Sequence, residues 1–324
     1  MVALRYRVLA ASVLLAAPFL ANAAASLRVE AVENTATAPS LSRGARGAAV
    51  VQAQVLLDRA WFSPGEIDAG FGENMVRAVS TFQHSKGLRE SGRIDSGTWK
   101  ALRAEGDAVL TTYTVAAADV AGPFVKIPAD MMERARLDHL GYENVAEALG
   151  EKFHLSPSLL RALNPGKRFE AGDDIVVPDV AHAKAPPKAA SIELSKARRV
   201  LRLLDREGRV LAQFPISLGG KRDELPVGRL KVVSEVKDPV FTFDPARLAD
   251  TNKEHVKIDI PAGPNNPVGV LWMGLSKPHF GLHGTPQPAL VGRRETHGCV
   301  HLTNWDALKL SALASPGIPV DVGR

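Results

Sequence analysis

The chain has 324 residues, is 45% hydrophobic and 23% charged, and carries a formal net charge of +5. This length predicts two or three domains of ordinary globular composition. The charge drops from +5 to +3 once residues 1–23 and their two arginines are removed, an excess too weak to predict nucleic-acid binding. It could assist adhesion to an anionic envelope polymer without requiring one.

The chain opens with Arg5 and Arg7, then an apolar run of 13 residues, Val8 to Leu20, too short to span a bilayer. Small residues follow at Ala21–Ala23. The pattern predicts a cleaved secretory signal over residues 1–23. No cysteine follows the run, which excludes a lipoprotein anchor.

Residues 41–104 repeat apolar positions at helical spacing: Val50, Val51, Val55 and Leu56, then Met75, Val76, Val79 and Phe82. Asp95 or Ser96 is placed to cap a third helix. The pieces "VVQAQVLLDRAWF", "D-x-G-F-G", "A-V-x-x-F-Q" and "G-x-I-D-S-x-T-W" make this unit resemble a three-helix peptidoglycan-binding domain.

Residues 112–179 read as strand, helix, helix, strand, with Ser156 or Pro157 opening the second helix. With "LNPG" and "IVVP", this unit resembles a LysM carbohydrate-binding module. It departs from that pattern by an insertion at 116–143, which bears on glycan affinity. An Ala/Lys/Pro tract at 180–190 then reads as a semi-extended linker.

Residues 191–324 begin as successive short strands, "SIELS", "RVLRLLD", "RVLAQFPISLG", "GRLKVVS" and "VGVLWMGLS". A Pro/Gly/Asp-rich stretch from Lys237 to Gly269 interrupts them. It is too long for a passive connection and reads as a lid or binding loop, or as a peripheral insertion.

Cys299 is the only cysteine, so this exported chain cannot close an internal disulfide. The thiol is either a buried small hydrophobe or a reactive group. Four of the nine histidines, His279, His283, His297 and His301, fall within the 23 residues 279–301 that also hold it, which favours chemistry. A thiolate nucleophile with a histidine base is one possibility. Thr303 followed by Asp306 predicts a capped helix just beyond Cys299, whose free N–H groups would favour a thiolate and an oxyanion. A zinc site is the other, but His297 and His301 flank Cys299 on one segment, whereas structural zinc sites draw pairs from separated segments. No metal or cofactor is therefore predicted. Spacing alone does not choose the base.

"FGLHGTPQPALVGRRETHGCVHLTNWDA" is similar to the active-site signature of L,D-transpeptidases with a YkuD-type catalytic domain. "FPISLGG", "LPVGRLKV" and "GPNNPVG" extend the resemblance over most of residues 191–324. It implies a mainly-β sandwich with short helices, and so a multidomain chain of an all-α module, an α+β module and this domain. It implies Cys299 as the acylated nucleophile and His283 as general base, oriented by the Gly284 carbonyl. His297 would line the site, and the N–H groups of Gly298 and Cys299 would form the oxyanion hole. His301, Thr296 and Asn304 would lie against substrate.

His301 departs from the resembling family, which keeps an arginine there. It could replace that donor, alter substrate preference or pH dependence, or mark a weakened domain. The presence of Cys299, His283 and His297 favours activity. The implied substrate is peptidoglycan: Cys299 attacks the diamino acid–D-alanine bond of a tetrapeptide stem, D-alanine leaves, and an amine of a second stem or an envelope protein takes the acyl group. Water as acceptor would make a carboxypeptidase. The rival from another class is a non-catalytic wall-binding protein with a degenerate C-terminal domain. The expected location is the periplasm or cell envelope.

Overall fold

The computed structural model describes residues 27–106, 108–181, 184–219, 224–247, 252, 254–293 and 299–324. The expected signal segment, 1–23, lies outside them.

After a short turn of helix, α1 (Val29–Val32), the first unit forms from α2 (Ala48–Arg59), α3 (Glu73–Ser85) and α4 (Ser96–Leu102). Val50, Val51, Val55 and Leu56 of α2 share a core with Met75, Val79 and Phe82 of α3; in α3 the 3.6-residue period marks the buried face, whereas α2 is buried on every side from Val50 to Asp58. Asp95 caps α4 by accepting from Thr98 N at 2.8 Å. The second unit pairs β1 (Leu110–Thr114) antiparallel with β2 (Asp174–Pro178). Between them lie α5 (Met131–Arg134), α6 (Val145–Lys152) and α7 (Pro157–Leu163), the last capped by Ser156 with proline in its first turn.

The two units were expected as separate modules. Their buried side chains instead form one continuous cluster running from Val32 to Val177. Ile67 joins them directly, its N–H donating to His154 O at 2.9 Å while Ser156 N donates back at 3.0 Å.

The C-terminal domain is a mixed eight-stranded sheet. Its strands are β3 (Ser191–Ser195), β4 (Val200–Leu204), β5 (Val210–Pro215), β6 (Gly228–Lys237), β9 (Leu271–Leu275), β10 (Gly281–His283), β11 (Val300–His301) and β12 (Pro319–Gly323). Their order is β11-β10-β9-β6-β12-β3-β4-β5. The predicted sandwich is thus one sheet doubled over. The first part of β6 pairs with β12 and the second with β9, with the register shifting between Val232 and Ser234. Ile192, Leu203 and Phe214 from one half share a core with Met273, Leu282 and Val300 from the other, around α8 (Asn304–Leu313).

The edge strand β5 does not face water along its length. Ser63 N donates to Gln213 O at 2.9 Å, and Gln213 N to Trp61 O at 2.8 Å, so the helical unit lends a short extended segment to the sheet edge. A buried polar knot lies nearby. Asp58 of α2 pairs with Lys309 of α8 at 2.7 Å and with His154 at 3.2 Å, and the His154 ring stacks on Trp305. Burial works against the charged form of Asp58, but Lys309 and His154 outweigh it and hold the carboxyl well below its usual range.

The insertion at 116–143 has a partner. The long stretch after β6 contains a hairpin, β7 (Phe241–Phe243) with β8 (Ile258–Ile260). Leu140 of the insertion packs with Phe243 and Ile260 in a small core of its own. Leu140 N donates to Ala262 O at 2.8 Å, and Asn265 N to Leu140 O at 3.0 Å. The insertion thus grips the stretch expected to be a lid.

Candidate active site

Strand β10 places His283 beside β11. The two strands are parallel, with Leu282 opposite Val300 and His283 opposite His301. Cys299 stands immediately ahead of β11, two residues before His301. Cys299 is partly exposed, and its Sγ lies 3.7 Å from His279 O, a long contact for a weak donor.

His283 is 2% exposed. Its Nδ1 lies 2.7 Å from Gly284 O, the hydrogen bond expected from the sequence. A carbonyl only accepts, so Nδ1 carries the proton and Nε2 keeps a free lone pair. Burial pushes the pKa of His283 down to about 4, although the Gly284 bond pulls the other way. The imidazole is therefore neutral at pH 7. Trp272 stacks on it at 5.4 Å between centroids, and His301 stands tilted at 4.2 Å. Gly281 permits the stack, because a Cβ there would meet the Trp272 ring at 2.6 Å. Trp272 was not anticipated from the sequence, where it reads only as an apolar strand residue.

Three expected site residues, Thr296, His297 and Gly298, lie outside the described residues. Two expectations are corrected. Cys299 does not sit at a helix start, because β11 intervenes and α8 begins only at Asn304. Thr303 does cap α8, accepting from Asp306 N at 3.2 Å, but the Asp306 carboxylate turns to Ser63 Oγ at 2.8 Å. Asn304, expected against substrate, is 1% exposed and braces the site from behind. Its Nδ2 donates to Pro264 O and to Glu151 Oε1, each at 3.1 Å. Its Oδ1 accepts from Val270 N at 3.3 Å. Gly269 and Gly284 must lack Cβ atoms to let Asn304 in. Burial raises the pKa of Glu151 to about 8, so it meets the amide as a neutral acid at pH 7.

Ser217 is a residue that sequence reading missed, although it lies in the quoted "FPISLGG". Its backbone pairs with His301 in both directions, at 3.0 and 2.9 Å. Its Oγ accepts from Gly292 N at 2.9 Å and donates to Leu290 O at 3.3 Å. It thereby ties β11 to the turn that precedes the cysteine segment. Among the described residues, no group of three or more His, Cys, Asp or Glu side chains is arranged to hold a metal ion.

Residues 189–322 match the YkuD family, "L,D-transpeptidase catalytic domain", and residues 46–102 match the family "Putative peptidoglycan binding domain". The chain is 26% identical over 179 residues to "Putative L,D-transpeptidase YkuD" of Bacillus licheniformis, covering 54% of this chain and 92% of the relative. It is similar to the solved L,D-transpeptidase of Xylanimonas cellulosilytica DSM 15894, with TM-score 0.38, 16% identity, 89% of this chain and 99% of that one. It is also similar to that of Mycobacterium smegmatis, with TM-score 0.33, 19% identity and 41% of this chain. The chain spans 58% of that protein, less than two thirds.

Proposed function

We propose that this chain, whose residues 189–322 form a catalytic domain of the YkuD L,D-transpeptidase family, is an exported enzyme that uses Cys299 to cut and rejoin peptidoglycan stems. One observation carries the reading: the Gly284 carbonyl holds His283 in the tautomer that leaves Nε2 basic, on the strand paired with the one that begins directly after Cys299.

His283 is neutral at rest, so the thiol is not stored as an ion pair with it. The proton moves to Nε2 as Sγ attacks the carbonyl between the diamino acid and the terminal D-alanine. The Gly298 and Cys299 N–H groups receive the oxyanion, with His297 beside them. The proton passes to the leaving amine, D-alanine departs, and a thioester remains on Cys299. An amine from a second stem or an envelope protein then attacks it, His283 taking the amine's proton. His301 contacts the bound stem near the reacting carbonyl, with Thr296 alongside. Residues 46–102 and the LysM-like unit, 112–179, hold the enzyme on the wall, in the periplasm or cell envelope.

The test is product analysis. Purified protein incubated with tetrapeptide muropeptides should release free D-alanine and form cross-linked dimers, and Cys299→Ser should do neither. Undiminished D-alanine release by Cys299→Ser would overturn the proposal.

A further inference from the structure

The segment that carries Cys299 leaves the sheet after β10 and returns as β11. Its stem, Leu290 to Arg293, is held by the helical unit more than 200 residues upstream in sequence. Asn74, in the first turn of α3, is 7% exposed, and its Nδ2 donates to Val291 O at 2.9 Å. Arg77, one turn later, donates from Nη1 to Asn74 Oδ1 at 3.0 Å and to Gly292 O at 3.4 Å. Arg293 pairs with Asp68 at 2.8 Å. Gly292 has φ of +75°, and a Cβ there would strike the Asn74 amide. The contact is thus fitted closely from both sides, and the backbone adopts a conformation that favours glycine.

Ser217 adds bonds to Leu290 O and Gly292 N, beside the turn's own bonds from Val291 N to Pro288 O and from Arg293 N to Leu290 O. Downstream, Asn304 is held by Glu151 of the second unit. Residues on both sides of Cys299, Val291 to Arg293 before it and Asn304 after it, are therefore held by side chains of the N-terminal half of the chain. A catalytic domain needs its nucleophile fixed to a fraction of an ångström, and supporting contacts set that precision.

We propose that Asn74 and Arg77 are positioning residues for acyl transfer, gripping the stem of the cysteine segment so that the unit matching a peptidoglycan-binding family is also a structural part of the active site. This rests on Cys299 being the nucleophile. Neither residue touches the reacting atoms; they act through Val291 and Gly292.

The experiment uses the full chain. Asn74→Asp keeps the shape and the acceptor for Arg77 but replaces the donor to Val291 O with a carboxylate oxygen. Arg77→Ala is the second variant, and Arg43→Ala, an exposed change on the same unit, is the control. For each, D-alanine release from a tetrapeptide muropeptide gives kcat and KM, circular dichroism gives the folded fraction, and pull-down measures sacculus binding. The expected result is a fall in kcat of about 10- to 100-fold for Asn74→Asp, with KM and sacculus binding changed less than about twofold and the control unaffected. Should Asn74→Asp prove unfolded, the same split is expected of Arg77→Ala. If kcat of the folded variants stays within about twofold of wild type, or falls only in proportion to the folded fraction, the inference is overturned. Failure of the underlying reading is distinguishable, because Cys299→Ser would then release D-alanine as fast as wild type.

Discussion

His283 and His301 are register partners on parallel strands, with ring centroids 4.2 Å apart. The proposed base therefore lies against a second imidazole, and a charge on one acts on the other. A guanidinium at this position would present a permanent positive charge to His283, which an imidazole does not.

The first expectation concerns pH. His283 must be neutral to accept a proton, and burial holds its pKa near 4 against the ordinary 6.5. The acid limb of the pH profile for Cys299 acylation should fall nearer 4 than 6.5. The sign for stability is the same. Between these values the unfolded chain binds more protons at this site than the folded one, so stability drops as pH falls through the window. A pH profile of acylation by a carbapenem, read by mass spectrometry, checks the first point, and an acid limb at 6.5 or above contradicts it.

Replacing His301 separates the readings of this position. His301→Arg should leave the site active and move the acid limb lower, because a fixed neighbouring cation disfavours protonated His283. If the arginine variant gains rate without any shift of the limb, His301 acts on substrate alone.

The Gly284 carbonyl that bonds His283 belongs to a residue packed against Asn304. A Cβ at Gly284 would run into Asn304 Oδ1. Gly284→Ala should cost about 10- to 100-fold in kcat, and adding Asn304→Ala should recover part of that loss, since the two residues couple through contact. Additive losses in the double variant would show that the two do not act through one clash.

Much of this was legible in the sequence where the signal is local. The buried face of α3 follows from residue spacing, and the caps Asp95 and Ser156 follow from side chains that accept from the next turn. The His283–Gly284 bond joins adjacent residues and was implied by the resemblance to the L,D-transpeptidase signature. Contacts across long separations leave no such periodicity. Nothing around Phe62 announces pairing with Gln213, and Asn74 reads as one polar residue on an amphipathic helix. Asn304 was misplaced for the same reason: a polar residue near a nucleophile suggests substrate, and only the fold reveals Glu151 and Pro264 behind it. The insertion at 116–143 departs from the LysM-like pattern, and its partner, the β7–β8 hairpin, lies about 100 residues further along the chain, where local sequence gives no sign of it.

The polar knot between the halves should be sensitive in two ways. Asp58→Ala leaves Lys309 buried without its carboxylate and should cost about 3–5 kcal/mol, measured by urea unfolding. Burial, opposed by Lys309 and reinforced by Asp58, raises the pKa of Asp306 to about 7 from 3.8. The folded state then holds a proton that the unfolded state has lost, so this site's contribution declines as pH rises from 4 through 7. Asp306→Asn should flatten that part of the stability curve. An identical pH slope in wild type and variant would contradict the assignment.

The most direct measurement is the intact mass of the protein during turnover of a tetrapeptide stem. The account predicts a transient adduct of stem minus D-alanine, mapped to Cys299, present in wild type, accumulating when the amine acceptor is withheld, and absent in Cys299→Ser. Turnover without any adduct on Cys299, or an adduct that persists in Cys299→Ala, would contradict it.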